Sequence, residues 1–98
     1  MAELTGKQRR HLRALGHHLD ALLQIGHEGI TEAVVAHANA QLRAHELIKV
    51  RVLESSPQDR KEAAEELSAR TGAELAQVLG RMFLLYKRDP DEPRIELP

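Results

Sequence analysis

Two short apolar runs, Leu19–Ile25 and Leu47–Leu53, bracket a segment of helical spacing, and this alternation constrains the fold more than any other feature of the chain. The second run, Leu47-Ile48-Lys49-Val50-Arg51-Val52-Leu53, is rich in β-branched residues and alternates apolar with charged from Ile48 onward, as a strand does. The first run is short, apolar and stopped by Gly26, and reads as a buried strand. Between them, Thr31 caps a helix reaching about Ala44, with Val34, Val35, Ala38 and Leu42 on its inner face. Strands joined through a helix pair in parallel with a right-handed crossover.

The rest of the chain extends this pattern. Thr5-Gly6-Lys7-Gln8 is a capping box, which starts a first helix running to Leu15 with Gly16 as its stop. Ser56-Pro57-Gln58-Asp59 supplies an N-cap, a proline at the first helical position and an acid at the third. The third helix should reach Arg70 or Thr71, with Gly72 ending it and Ala63, Ala64 and Leu67 facing inward. Glu74–Leu79 and Met82–Tyr86 are two further strands, joined by Gly80-Arg81 as a type II′ hairpin turn. The expected fold is α/β, in the order α-β-α-β-α-β-β, with a mixed four-stranded sheet packed by three helices. Residues 1–88 should form the domain. Residues 89–98 hold three of the four prolines and should be an extended, loosely held tail.

Composition narrows the function. A chain of 98 residues with 42% hydrophobic side chains suits one globular domain. With no cysteine, disulfides and thiolate metal sites are excluded. No apolar run approaches the ~20 residues of a membrane span, and no signal-peptide pattern opens the sequence, so a cytoplasmic protein is expected. The formal net charge is −1, but it is unevenly spread. Residues 1–53 carry seven Lys or Arg against five Asp or Glu, together with all six histidines; residues 54–98 carry seven against ten. Such a field can steer an anionic partner to one face.

Two constellations point to that partner. Lys7, Arg10 and Arg13 form an i, i+3, i+6 stripe on the first helix, opposite Gln8, Leu12, Leu15 and Leu19 and without an acid on the same helix. Ile25-Gly26-His27-Glu28-Gly29-Ile30-Thr31 is a GxxG loop that opens the second helix. Glycines permit close backbone approach, and the N–H groups of a helix N-terminus attract phosphate. No nucleophile motif, cofactor loop or carboxylate pair accompanies them, and the loop lacks the Lys-Ser/Thr of a nucleotide triphosphate site. No enzyme, cofactor or metal site is therefore expected. Phe83 and Tyr86 are too few for a base-stacking platform, so recognition should rest on phosphate and shape.

Several motifs together resemble the single-domain YhbY-type members of the CRM (chloroplast RNA splicing and ribosome maturation) family. They are Leu4-Thr5-Gly6-Lys7-Gln8-Arg9 with Leu12-Arg13, the GxxG loop through Thr31, and His45-Glu46-Leu47-Ile48-Lys49-Val50. Thr71-Gly72, Gln77-Val78-Leu79-Gly80, Leu84-Leu85-Tyr86-Lys87-Arg88 and Ile95-Glu96-Leu97-Pro98 complete the set, which spans essentially the whole chain. The resemblance implies a fold like the C-terminal domain of translation initiation factor three. It also implies a monomer that binds RNA, in particular ribosomal RNA of large-subunit precursors. The residues that would do so are Lys7, Arg9, Arg10, Arg13, Gly26, His27, Glu28, Gly29, Thr31 and Lys49. One departure stands out: loops of this family often carry a basic or small polar residue between the glycines, whereas this chain has His27-Glu28. A carboxylate there opposes phosphate. The acidic second half also leaves open a protein-binding adaptor that keeps the fold.

Overall fold

The computed structural model describes residues 4–98; residues 1–3, part of the domain expected over 1–88, lie outside it. Among the described residues there are three helices and four strands: α1 (Gly6–Gly16), β1 (Ala21–Ile25), α2 (Glu32–His45), β2 (Leu47–Val52), α3 (Arg60–Thr71), β3 (Glu74–Leu79) and β4 (Met82–Tyr86). The order is the expected α-β-α-β-α-β-β. The sheet runs β1-β2-β4-β3, with β1 and β2 parallel and β4 antiparallel to both its neighbours. β4 thus inserts between β2 and β3. Its Phe83-Leu84-Leu85-Tyr86 is buried on both faces, which suits a central place, whereas β3 carries Glu74 and Gln77 and lies at the edge.

The sheet divides the interior into two layers. On one side Ile25, Ile48, Val50, Phe83 and Leu85 pack with Ala38 and Leu42 of α2 and with Ala63, Ala64 and Leu67 of α3. On the other, Leu12 of α1 meets Leu47, Ala76, Leu84 and Tyr86. α1 is therefore the helix of one face, and α2 and α3 share the opposite face.

Local signals mostly act where the sequence puts them. Thr5 and Gln8 close the capping box in both directions, at 3.1 and 3.0 Å. Gly72 ends α3 at φ 73°, and Gly80 takes φ 59° while Arg81 stays at negative φ, as a type II′ turn requires. Four expectations need correction. β1 starts at Ala21, and Leu19 is left exposed before it. The cap of α3 is Asp59, whose Oδ1 accepts the Glu62 N–H at 2.9 Å. Ser56 instead closes a turn of its own, its Oγ accepting from Gln58 N–H and donating to the Gln58 carbonyl. Gly16 does not stop α1 by adopting a left-handed conformation; the helix runs through it and is capped by His17 in a right-handed one. The role of Gly16 is packing, since a Cβ there would lie 2.5 Å from Cδ1 of buried Leu84.

The fourth correction is the tail. Residues 89–98 have no regular secondary structure, but they are firmly held. Glu46, fully buried, accepts backbone N–H groups from Asp89 (2.7 Å), Arg94 (2.8 Å) and Ile95 (2.8 Å). Ile95 and Leu97 pack on the α1-side layer, and Gln8 Nε2 donates to the Pro98 carbonyl at 3.3 Å. A buried carboxylate must be satisfied, and the tail satisfies it.

Candidate nucleic-acid interface

The GxxG loop lies where β1 ends, at the edge between the two faces. Gly29 N–H donates to the Gly26 carbonyl at 2.9 Å, closing a turn whose central residues are His27 and Glu28, both exposed and at negative φ. The two glycines are not equivalent. Gly29 is buried at φ 70°, and a Cβ there would press on Pro57 Cγ at 3.2 Å. Gly26 has an ordinary conformation, and a Cβ would make normal contact with Leu53 and Ser55. Only Gly29 is required by the backbone; a small residue at Gly26 keeps the loop surface low.

Behind the loop, Thr31 caps α2, its Oγ1 accepting the Val34 N–H at 3.2 Å. Among the described residues, the N–H groups of Glu32 and Ala33 find no protein acceptor, so they face outward as donors. Two carboxylates sit beside them, Glu28 in the turn and Glu32 in the first helical turn. Glu32 already balances part of the helix dipole and would compete with an anion.

On the opposite face, Lys7, Arg10 and Arg13 are exposed along α1. None of them takes part in an ion pair among the described residues. Arg9 is different. It is half-buried, and its Nη1 donates to the Leu75 carbonyl, tying α1 to β3. Part of its donor set therefore serves the fold.

The stripe and the loop are separated by open sheet. β2 presents Ile48, Val50 and Val52 to the α2–α3 side, so Lys49 and Arg51 face the α1 side, on a strand flanked by β1 and β4. Arg51 pairs in register with Gln24, one residue before Ile25 and the loop. Lys49 shares a shallow pocket with Gly16 and His17 at the end of α1. Neither Lys49 nor Arg51 forms an ion pair among the described residues, whereas nearby Arg81 is held by Glu54 at 2.9 Å. A line of cations thus leads from the loop over Arg51 and Lys49 to the C-terminal end of α1, whose last turn carries Arg13. Lys49 is among the residues that the resemblance implies, and Arg51 is not. The alternation of the strand was the signal, since it places both on one face.

No three His, Asp or Glu side chains converge in a metal-binding geometry among the described residues. No helix among them is long and apolar enough to cross a membrane.

This architecture has close counterparts. The sequence model of the CRS1 / YhbY (CRM) domain matches residues 4–87. The chain is 39% identical over 95 residues to "Probable RNA-binding protein YqeI" of Bacillus subtilis, covering 97% of this chain and 99% of that protein. It is 35% identical over 98 residues to a protein of Haemophilus influenzae named "RNA-binding protein", covering 100% and 98%. The solution structure of SAV1595 from Staphylococcus aureus superposes with a TM-score of 0.82 at 46% identity, covering 97% of this chain and 99% of that one. These relatives carry the names of RNA-binding proteins, not of enzymes, and match nearly end to end. The chain belongs to the CRS1/YhbY (CRM) domain family.

Proposed function

We propose that this protein binds structured ribosomal RNA during assembly of the large ribosomal subunit, as a monomer in the cytoplasm. The observation that carries the RNA reading is the row of cations with no ion pair among the described residues, Arg51 and Lys49 on the α1 side of the sheet and Arg13, Arg10 and Lys7 along α1, together with the donor-rich start of α2. Phosphates would lie along that row, and the backbone at Gly26 and the outward N–H groups of α2 would hold one more. The ribosomal partner rests on the resemblance of the motifs and on the family.

Crosslinking followed by sequencing of the attached RNA tests the partner. Sites concentrated in large-subunit precursors support it; sites spread evenly over cellular RNA overturn it. A salt titration tests the surface. Replacing Lys49 and Arg51 by alanine should flatten the log–log dependence of affinity on salt by about 0.7–0.9 per lost phosphate contact. The same replacement at Lys7, Arg10 and Arg13 should flatten it further, and an unchanged slope would move the RNA elsewhere.

Glu28 and Glu32 at the start of α2 favour a second reading, a protein-binding adaptor on ribosomal particles. In that case the protein would bind particles with little salt dependence and naked RNA not at all.

A further inference from the structure

A groove of about 470 Å³ opens where α1, the turn after it, the end of α2 and the tail meet. Its apolar lining includes Leu15, Leu19 and Leu22, which are 38%, 36% and 44% exposed, and Ile95. Its polar lining is Lys49, His18, His45 and Asp20. Lys49 belongs to the line of cations already described, so the groove is a side branch of that surface. Three separate stretches of sequence build it, residues 15–22, residues 45–49 and Ile95. The Ile95 wall is fixed because its N–H is bonded to buried Glu46.

We infer that this groove receives one unpaired nucleotide of the RNA held by the neighbouring cations, an inference that rests on the RNA-binding reading. Size and chemistry support this occupant. The volume falls in the ~300–1,000 Å³ range of small-ligand sites, which are mostly apolar with a few convergent polar groups. Lys49 is placed for the phosphate. The leucines and Ile95 offer an apolar slot for the faces of a base, as apolar side chains do for flipped bases. Asp20 offers an acceptor and the two histidines offer donor or acceptor nitrogens for its edge. The chain has no aromatic platform, so a lone extruded base suits it better than a stacked run. A second protein is the poorer fit. Three partly exposed leucines supply only a small part of the ~800 Å² per partner of a standard interface.

The test compares two RNA hairpins, one with a fully paired stem and one with a single unpaired nucleotide in the stem. Wild type should bind the second at least tenfold tighter. In methyl-labelled protein, the signals of Leu15, Leu19, Leu22 and Ile95 should shift with that hairpin alone. The Leu19→Ser/Leu22→Ser variant should lose the preference yet bind the paired hairpin within twofold of wild type. Equal affinity of wild type for the two hairpins overturns the inference, and so does a preference that leaves those methyl signals unmoved. Shifts that follow protein concentration without RNA also overturn it, by assigning the groove to a second copy. Binding to neither hairpin removes the RNA reading itself, and the groove with it.

Discussion

The two ends of α2 solve the same problem in opposite ways. A helix end leaves backbone groups without partners. At the N-terminus, Thr31 satisfies one N–H and the next-door donors are left facing outward beside an exposed turn. At the C-terminus the neighbouring groups are drawn into the fold, Arg94 Nη2 donating to the Arg43 carbonyl at 2.6 Å. Glu46 N–H donates to the Leu42 carbonyl, its own carbonyl accepts from Lys87 N–H, and its carboxylate takes three N–H groups of the tail. Glu46 does this at φ 62°, a conformation that other residues leave to glycine. Positive φ on a bulky residue often marks a functional site. Here it marks a structural lock, and the open, unstrained end is the one suited to a ligand. Under the proposed reading, the ligand meets the end whose donors lack acceptors rather than the end with positive φ.

The largest effect that could break this contrast is expected at Glu46. Glu46→Ala leaves the Asp89, Arg94 and Ile95 N–H groups without their acceptor and should cost on the order of 3 kcal/mol in urea unfolding. Affinity for fully paired RNA should stay within twofold where the variant is folded. A stable variant would mean that the tail is not a lock. Acid gives the same test without mutation. Burial raises the Glu46 carboxyl, but the bonds from Asp89, Ile95 and Arg94 and the Arg94 charge outweigh it and hold it below its ordinary value. Its contribution is therefore complete above the unfolded carboxylate range and is lost as pH falls through the depressed folded value. Glu46→Gln should flatten the acid limb of the stability curve.

Next in size is Gly29. Alanine there must adopt φ 70° and displace Pro57, so Gly29→Ala should lose about 1–2 kcal/mol, whereas Gly26→Ala should stay within about 0.5 kcal/mol. Equal losses would erase the distinction between the two glycines. Gly26→Asp sharpens the binding side, because its Cβ fits the native loop and its charge meets the RNA. Affinity should fall about tenfold, roughly 1.4 kcal/mol, with thermal unfolding little changed. The smallest effect is expected from Glu28→Gln. Removing an exposed like charge should tighten RNA binding about twofold at low salt and less at 0.1 M, where screening reaches ~10 Å. Weaker binding would give Glu28 a positive role in recognition.

Much of the fold was legible because its signals are local. Caps at Thr5 and Thr31, the alternation of β2, the Gly80 turn and the αL stop at Gly72 all act within a few residues. What escaped depends on partners distant in sequence. A glutamate reads as surface, and only the tail 43 to 49 residues later makes Glu46 a buried acceptor. Gly16 reads as a helix stop until Leu84 is seen against it. Arg9 reads as one more cation until its bond to Leu75 is known. The same limit applies to the candidate interface. The loop and the stripe were visible as motifs, and the alternation of β2 puts Lys49 and Arg51 on one face, but the place of that face between the loop and α1 required the strand order.

That strand order also has a consequence for how the chain comes to be folded. Of the four described strands, the one that holds the sheet together is made last. Until Tyr86 is synthesised, β1 and β2 form only a two-stranded parallel pair, and β3 has no neighbour to join. At ~5–20 residues per second, a nascent chain of this length spends several seconds with the strongly apolar edge of β2 uncovered. The contacts that close the sheet, β2 with β4, span 31 to 39 residues, so loop closure precedes any gain from them. Folding should therefore be concerted and late rather than stepwise from the N-terminus, and a chain truncated before Met82 should aggregate instead of forming a partial domain.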